Sequence, residues 1–208
     1  MVIVLSGFRM SPQSKLKLPS ILIVACAMLS IVGCHQFIPK PSQASLDLNP
    51  QTSSIGPQTV VVIPVEFPDS KHTATKEFIH DLIFVKMNAY YTEASYNLTW
   101  IVGKTTRDWA MMPSPFSSYG DMGFGATRSQ RHRLVQDVIR ATDKEVDFRN
   151  FVQVIIVVPK VMLIGYASDR WGIQTDDGMV VNRATVQRED RPLGVFAHEM
   201  GHSLGLRD

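Results

Sequence analysis

The sequence predicts an α/β (α+β) fold in which a mixed sheet is flanked by helices and supports one further helix that carries the chemistry. Three observations lead there. Two runs, Thr59–Phe67 and Phe151–Val158, are almost uniformly apolar and rich in β-branched residues, as strands covered on both faces must be. Two longer stretches, Thr75–Ala94 and Arg128–Ala141, place apolar residues at helical spacing and lie between those runs. An apolar lead-in, Leu193-Gly194-Val195-Phe196-Ala197, then runs into His198-Glu199-Met200-Gly201-His202.

The 208 residues are 45% hydrophobic and 19% charged with a formal net charge of +2, an ordinary globular balance that argues against a dedicated nucleic-acid binder. Lys15 and Lys17 precede an apolar run, Ile21–Val32, that ends in Gly33-Cys34. This order of positive, apolar and small residues is that of an export signal over 1–33, with Met10 as an alternative start, and the run is short for a membrane span. Ile31-Val32-Gly33-Cys34 resembles a bacterial lipobox, so one reading attaches the chain to a membrane through lipidated Cys34; the other is a plain signal peptide or short anchor. Only two cysteines are present, and if Cys26 leaves with the signal no disulfide framework remains. The expected location is the bacterial cell envelope, as a lipoprotein, or the exterior as a secreted protein.

Residues 34–58, with Pro39, Pro41, Pro50 and Pro57 and no apolar period, read as a flexible tether. The domain then occupies 59–208. Thr59–Phe67 is its first strand, followed by a Pro68-Asp69-Ser70 turn in which Asp69 either binds a cation or serves the turn. In the helix Thr75–Ala94, Phe78, Leu82 and Val85 form one predicted stripe and Ile79, Ile83 and Tyr90 its neighbour. Leu98–Val102 is the second strand. Trp109–Gly125 reads as a long loop, whose Trp109, Phe116 and Tyr119 either line a substrate cleft or pack on the core. In Arg128–Ala141, Leu134, Val135, Val138 and Ile139 form the buried face, with Arg128, Arg131 and Arg133 in water. His72, His80 and His132 lack ligand-type neighbours and stay outside the site. Asp176-Asp177-Gly178 marks a turn, and a short edge strand within Gly172–Val186 either pairs with extended substrate or is an ordinary hairpin.

If Phe196–Leu204 is helical, His198 and His202 project from one face close enough to share an ion, with Glu199 beside them. Neutral imidazole is a good zinc ligand, and a catalytic zinc site has three protein ligands and one open position. Gly205 can end the helix in a left-handed conformation and turn the chain back, so Asp208 completes a predicted His-His-Asp set. Zinc acidifies its bound water, and Glu199 is placed to take the proton as the water attacks a peptide carbonyl. One zinc ion and a protein or peptide substrate are therefore expected. Calcium is compatible with this reading, but no ligand pattern points to it.

The stretch Gly194–Asp208 resembles the active-site segment of the immune inhibitor A family of secreted bacterial metallopeptidases. Thr59–Ser70 resembles that family's opening strand and acidic turn, and Tyr90–Trp100 resembles a segment in which paired aromatics precede a Ser-Tyr turn and a strand. The resemblance implies a metzincin-like zinc endopeptidase catalytic domain, with His198 and His202 as ligands and Glu199 as base. It departs from the family at Arg207, where proline is usual, and a ligand beyond Asp208 could take Asp208's place. On this reading the chain is truncated within the catalytic domain. Two competing readings are a non-catalytic surface-binding lipoprotein on a peptidase scaffold, which zinc without hydrolysis would favour, and a structural envelope protein, which would hold no stoichiometric metal.

Overall fold

The computed structural model describes residues 53–120, 122–123, 125–161 and 165–206, all within one unit, Ala44–Asp208. The export signal, most of the tether, Cys34 and Asp208 lie outside the described residues.

The first strand, β1 (Gly56–Glu66), begins inside the stretch read as tether and is buried along most of its length. Thr75 caps the following helix, its hydroxyl accepting from the Phe78 amide. The helix runs as α1 (Lys76–His80), a π-helical segment (Asp81–Met87) and α2 (Asn88–Ala94). The wide turns displace the predicted stripes. Ile79, Leu82, Ile83, Met87 and Tyr91 are buried, whereas Phe78, Val85 and Tyr90 are 47%, 56% and 50% exposed. From Ile83 the buried positions recur every fourth residue, because a π turn takes in more residues than the 3.6 period assumes.

The second strand, β2 (Thr99–Thr105), lies parallel to β1, and β3 (Ala110–Met111) pairs briefly with the end of β1. The chain then crosses back through α3 (Arg128–Thr142) to β4 (Gln153–Val158) on the other side of β1. Because the crossover reverses direction, right-handed connection puts α3 on the opposite face from α1 and α2. All six residues of β4 are buried. A hairpin follows, β5 (Tyr166–Thr175) and β6 (Gly178–Arg188), turning at the predicted Asp176-Asp177-Gly178. The strand order is β2-β1-β4-β6-β5, parallel except for β5.

The edge-strand expectation is thereby corrected. β6 lies inside the sheet, paired with β4 and β5, and the edge is β5, so only Gly172–Thr175 of the predicted stretch is edge backbone. At the opposite edge, Asn88 Oδ1 accepts from the Ile101 amide at 2.7 Å, which occupies part of β2's outer side.

Two cores sandwich the sheet. On one face Val61, Ile63, Val154, Ile156 and Val186 meet Leu134, Val135, Val138 and Ile139 of α3. On the other, Val60, Val62, Ile155 and Val157 meet Ile79, Ile83, Met87 and Tyr91 together with Phe196 and Met200 of the last helix, α4 (Leu193–Ser203). The cleft-lining reading of the loop aromatics is not met: Phe116 and Tyr119 pack edge-on against Phe67 in the α3 core, and Trp109 stacks on His72 at 4.0 Å. Asp69 serves its turn, accepting from the Phe116 and Ser117 amides, and the Phe116 amide foremost holds its carboxyl below the usual range. Arg131 is not fully in water, since its guanidinium lies over the Tyr166 ring. Among the described residues no helix is long and apolar enough to cross a membrane.

Candidate metal centre

Helix α4 is fixed before its chemistry is considered. Its inner face is Phe196, Met200 and Ser203, all buried against the sheet. Gln153, the first residue of β4, donates its side-chain amide to Ser203 Oγ at 3.0 Å and ties the helix end to the central strand. Tyr91 of α2 donates its hydroxyl to the Ala197 carbonyl at 2.6 Å, and burial pushes that phenol above its ordinary range. Upstream, the buried Glu189 carboxylate closes the β6 to α4 junction by accepting from the Thr73 and Ala74 amides and the Thr73 hydroxyl. Neither Tyr91 nor Glu189 was singled out for these roles from sequence. Both act through contacts about a hundred residues distant in the chain, which local pattern does not encode.

The helix ends as the glycine predicts. Gly205 has φ +98°, and the Leu206 and Gly205 amides donate to the Gly201 and His202 carbonyls, a Schellman closure. This brings the Leu206 carbonyl within 3.0 Å of His202 Nδ1. A carbonyl only accepts, so Nδ1 carries the proton in the neutral ring and Nε2 keeps its lone pair. That nitrogen lies 3.0 Å from His198 Nε2, with the two rings edge to face. Two imidazoles sharing one zinc at about 2.0–2.1 Å in tetrahedral geometry would have their nitrogens about 3.3 Å apart, so the pair fits such an ion with a small adjustment. Glu199 is half-buried on the adjoining helix position.

Residues 153–208 match the family Immune inhibitor A peptidase M6, catalytic domain. The resemblance to immune inhibitor A is borne out over the stretch that contains Gly194–Asp208, while Thr59–Ser70 and Tyr90–Trp100 lie outside the matched residues. The matched stretch contains β4, β5, β6 and α4, so the site helix and the strands beneath it share one family pattern. M6 is a metallopeptidase family, and a peptidase domain implies protein or peptide substrates. A comparison with curated proteins finds no match.

The structure thus brings together His198 and His202, with Glu199 next to them, while Asp208 lies outside the described residues. Among the described residues no group of three or more His, Cys, Asp or Glu side chains gathers. Away from this pair, His72 Nδ1 lies 2.9 Å from Glu66 Oε2, a carboxylate neighbour that sequence spacing does not show, and His80 Nδ1 lies 3.3 Å from Thr105 Oγ1.

Beside the histidine pair opens a pocket of about 670 Å³. It is lined by residues of α2 and α4 together with Ser54, Thr99 and Leu206.

Proposed function

We propose that the protein is a zinc-dependent metalloendopeptidase acting on extracytoplasmic proteins. The observation that carries this reading is the convergence of His198 Nε2 and His202 Nε2 at 3.0 Å, with the His202 ring oriented by the Leu206 carbonyl, inside a segment of M6 pattern. His198, His202 and Asp208 would hold the ion. When bound, zinc supplies Lewis-acid polarisation of a peptide carbonyl and a water acidified towards neutrality.

Glu199 follows His198 on the helix and takes the proton of the attacking water, then returns it to the leaving amine. The Leu206 carbonyl keeps the His202 ring in one tautomer throughout. The free edge of β5 can receive an extended substrate by backbone hydrogen bonding, and α4 packs against both β5 and β6, which would lay such a strand across the histidine face.

The test is zinc by elemental analysis on the full chain, with hydrolysis of an unfolded protein substrate measured in parallel. Near one zinc per chain, abolished by His198→Ala with His202→Ala, is expected, and Glu199→Gln should keep the zinc and lose at least about a hundredfold in turnover. No zinc above background would overturn the reading, and unchanged turnover in Glu199→Gln would remove that residue as the base. Export with lipidation at Cys34 is part of the same proposal. It is checked by fatty-acid labelling that Cys34→Ser should abolish; label retained in that variant would refute it.

A further inference from the structure

We infer that one corner of the sheet, where Ile55 and Pro57 meet Leu98, Trp100 and Val102 and Tyr96 forms the tip, contacts phospholipid and seats the domain on a bilayer. The inference rests on the proposed function only in taking the chain to be exported to a membrane.

The register of β1 and β2 places these side chains together. Gln58 lies opposite Ile101 and Val62 opposite Thr105, and Val60, Val62 and Ile101 belong to the core under α1, α2 and α4. Side chains alternate along a strand, so the intervening pairs, Pro57 with Trp100 and Thr59 with Val102, point to the α3 face. Ile55 adjoins this row, because the Gly56 amide donates to the Leu98 carbonyl at 2.7 Å. Helix α3 covers that face farther in, where Val61, Ile63, Val154 and Ile156 are fully buried. It does not reach the corner. Ile55 is 62% exposed, Leu98 55%, Trp100 39% and Val102 38%.

Tyr96 is held out from the corner by a strained turn. Tyr96 and Asn97 have φ +54° and +63°, the left-handed region that residues other than glycine seldom occupy. The turn is fixed by the Tyr96, Asn97 and Leu98 amides, which donate to the Glu93, Thr92 and Ser95 carbonyls. Its product is a tyrosine 88% exposed. A backbone constrained to present an aromatic ring to water, beside four exposed apolar side chains, marks a surface built to be covered.

The composition of this end selects lipid as the cover. Residues 53–65 carry no charged side chain, and residues 88–103 carry one, Glu93. Tyr96 and Trp100 each join an apolar body to a polar tip, the combination that suits the headgroup level of a bilayer. Lys104, the next residue on the same strand face after Val102, is exposed at the border and suits lipid phosphates. Strand addition by a second copy is opposed here, because Ser95 Oγ and Asn88 Oδ1 already accept from the Thr99 and Ile101 amides at 2.8 and 2.7 Å. The chain also enters the described structure at this corner. Ser53 stands two residues before Ile55, and residues 33–52 separate it from the apolar run 21–32, so a bilayer that receives that run is joined to the domain here.

The test mixes the full chain with vesicles of brominated phosphatidylcholine and phosphatidylglycerol in equal parts, and follows tryptophan emission. Bromine quenches a ring that touches the acyl region, so the wild-type chain should be quenched and Trp100→Phe, which keeps the corner apolar, should not. Tyr96→Asn with Leu98→Ser alters two exposed side chains and keeps a residue tolerant of positive φ in the turn; with circular dichroism unchanged, it should cut the quenching at least about threefold. Quenching that persists in Trp100→Phe or in the double variant, or a chain that sediments with the vesicles unquenched or does not sediment with them, would overturn the inference. Trp100 emission that shifts with protein concentration in the absence of vesicles would also overturn it, in favour of a second copy as the cover. The readout separates from the proposed function. A chain without fatty-acid label or zinc whose Trp100 is quenched keeps the lipid surface and loses that function; a labelled, zinc-loaded chain whose Trp100 is unquenched does the reverse.

Discussion

Replacing Glu189 by Ala tests whether the junction that launches the site helix is held by one buried carboxylate. Glu189 is 1% exposed and accepts from the Thr73 amide at 2.9 Å, the Ala74 amide at 2.8 Å and the Thr73 hydroxyl at 2.8 Å. Hydrogen bonds to a charged group contribute about 1.5–3 kcal/mol each when buried. Thr73 itself is exposed, so water can replace part of what is lost, and the lower figure applies to two backbone bonds. The expected loss is therefore about 3 kcal/mol. For a domain of this size each kcal/mol moves the midpoint by about 2–4 °C, which gives a fall of about 6–12 °C in thermal unfolding followed by circular dichroism. Glu189→Gln keeps one carbonyl oxygen as acceptor and should lose roughly half as much. A Glu189→Ala protein that unfolds within about 2 °C of wild type would refute the reasoning, since the Thr73 and Ala74 amides would then have an equivalent alternative.

Two further outcomes follow from the helix end and the buried phenols. Gly205→Ala forces a Cβ into the left-handed region at φ +98°, at about 1–2 kcal/mol, and should also weaken zinc uptake about tenfold by displacing the Leu206 carbonyl from His202; unchanged zinc affinity would show that this carbonyl does not hold the ring. Burial raises the phenols of Tyr91, Tyr119 and Tyr166 above their usual range, so above about pH 10 the unfolded chain releases protons that the folded chain keeps, and stability present below that pH is lost as pH rises. Urea midpoints at pH 9 and pH 11 should show the fall, and Tyr166→Phe should lessen it; a flat profile would contradict the burial.

What the sequence makes legible is whatever local pattern decides. The almost uniform apolarity of Phe151–Val158 announces a central strand, and β4 (Gln153–Val158) is that strand, buried at every residue. The face of α3 is read correctly because an unbroken helix keeps the 3.6 period from Leu134 to Ile139. Gly205 likewise ends its helix for a reason held in one residue, its tolerance of positive φ. The histidine pair is legible for the same reason, since four residues of helix suffice to converge two rings.

The illegible parts share a different cause. The π-helical segment adds a residue to each of its turns with no local breaker in Asp81–Met87, so a helical projection assigns Val85 and Tyr90 inward when both are half exposed. That displacement has a consequence at the site. It turns Tyr91 to the core, where its hydroxyl reaches the Ala197 carbonyl, and leaves Tyr90 at the pocket's lip. Had the helix kept its period, Tyr90 would occupy the buried position and the bond to α4 would have no donor there. The paired tyrosines thus divide between holding the helix and lining the pocket, and the division is set by a distortion seven residues long.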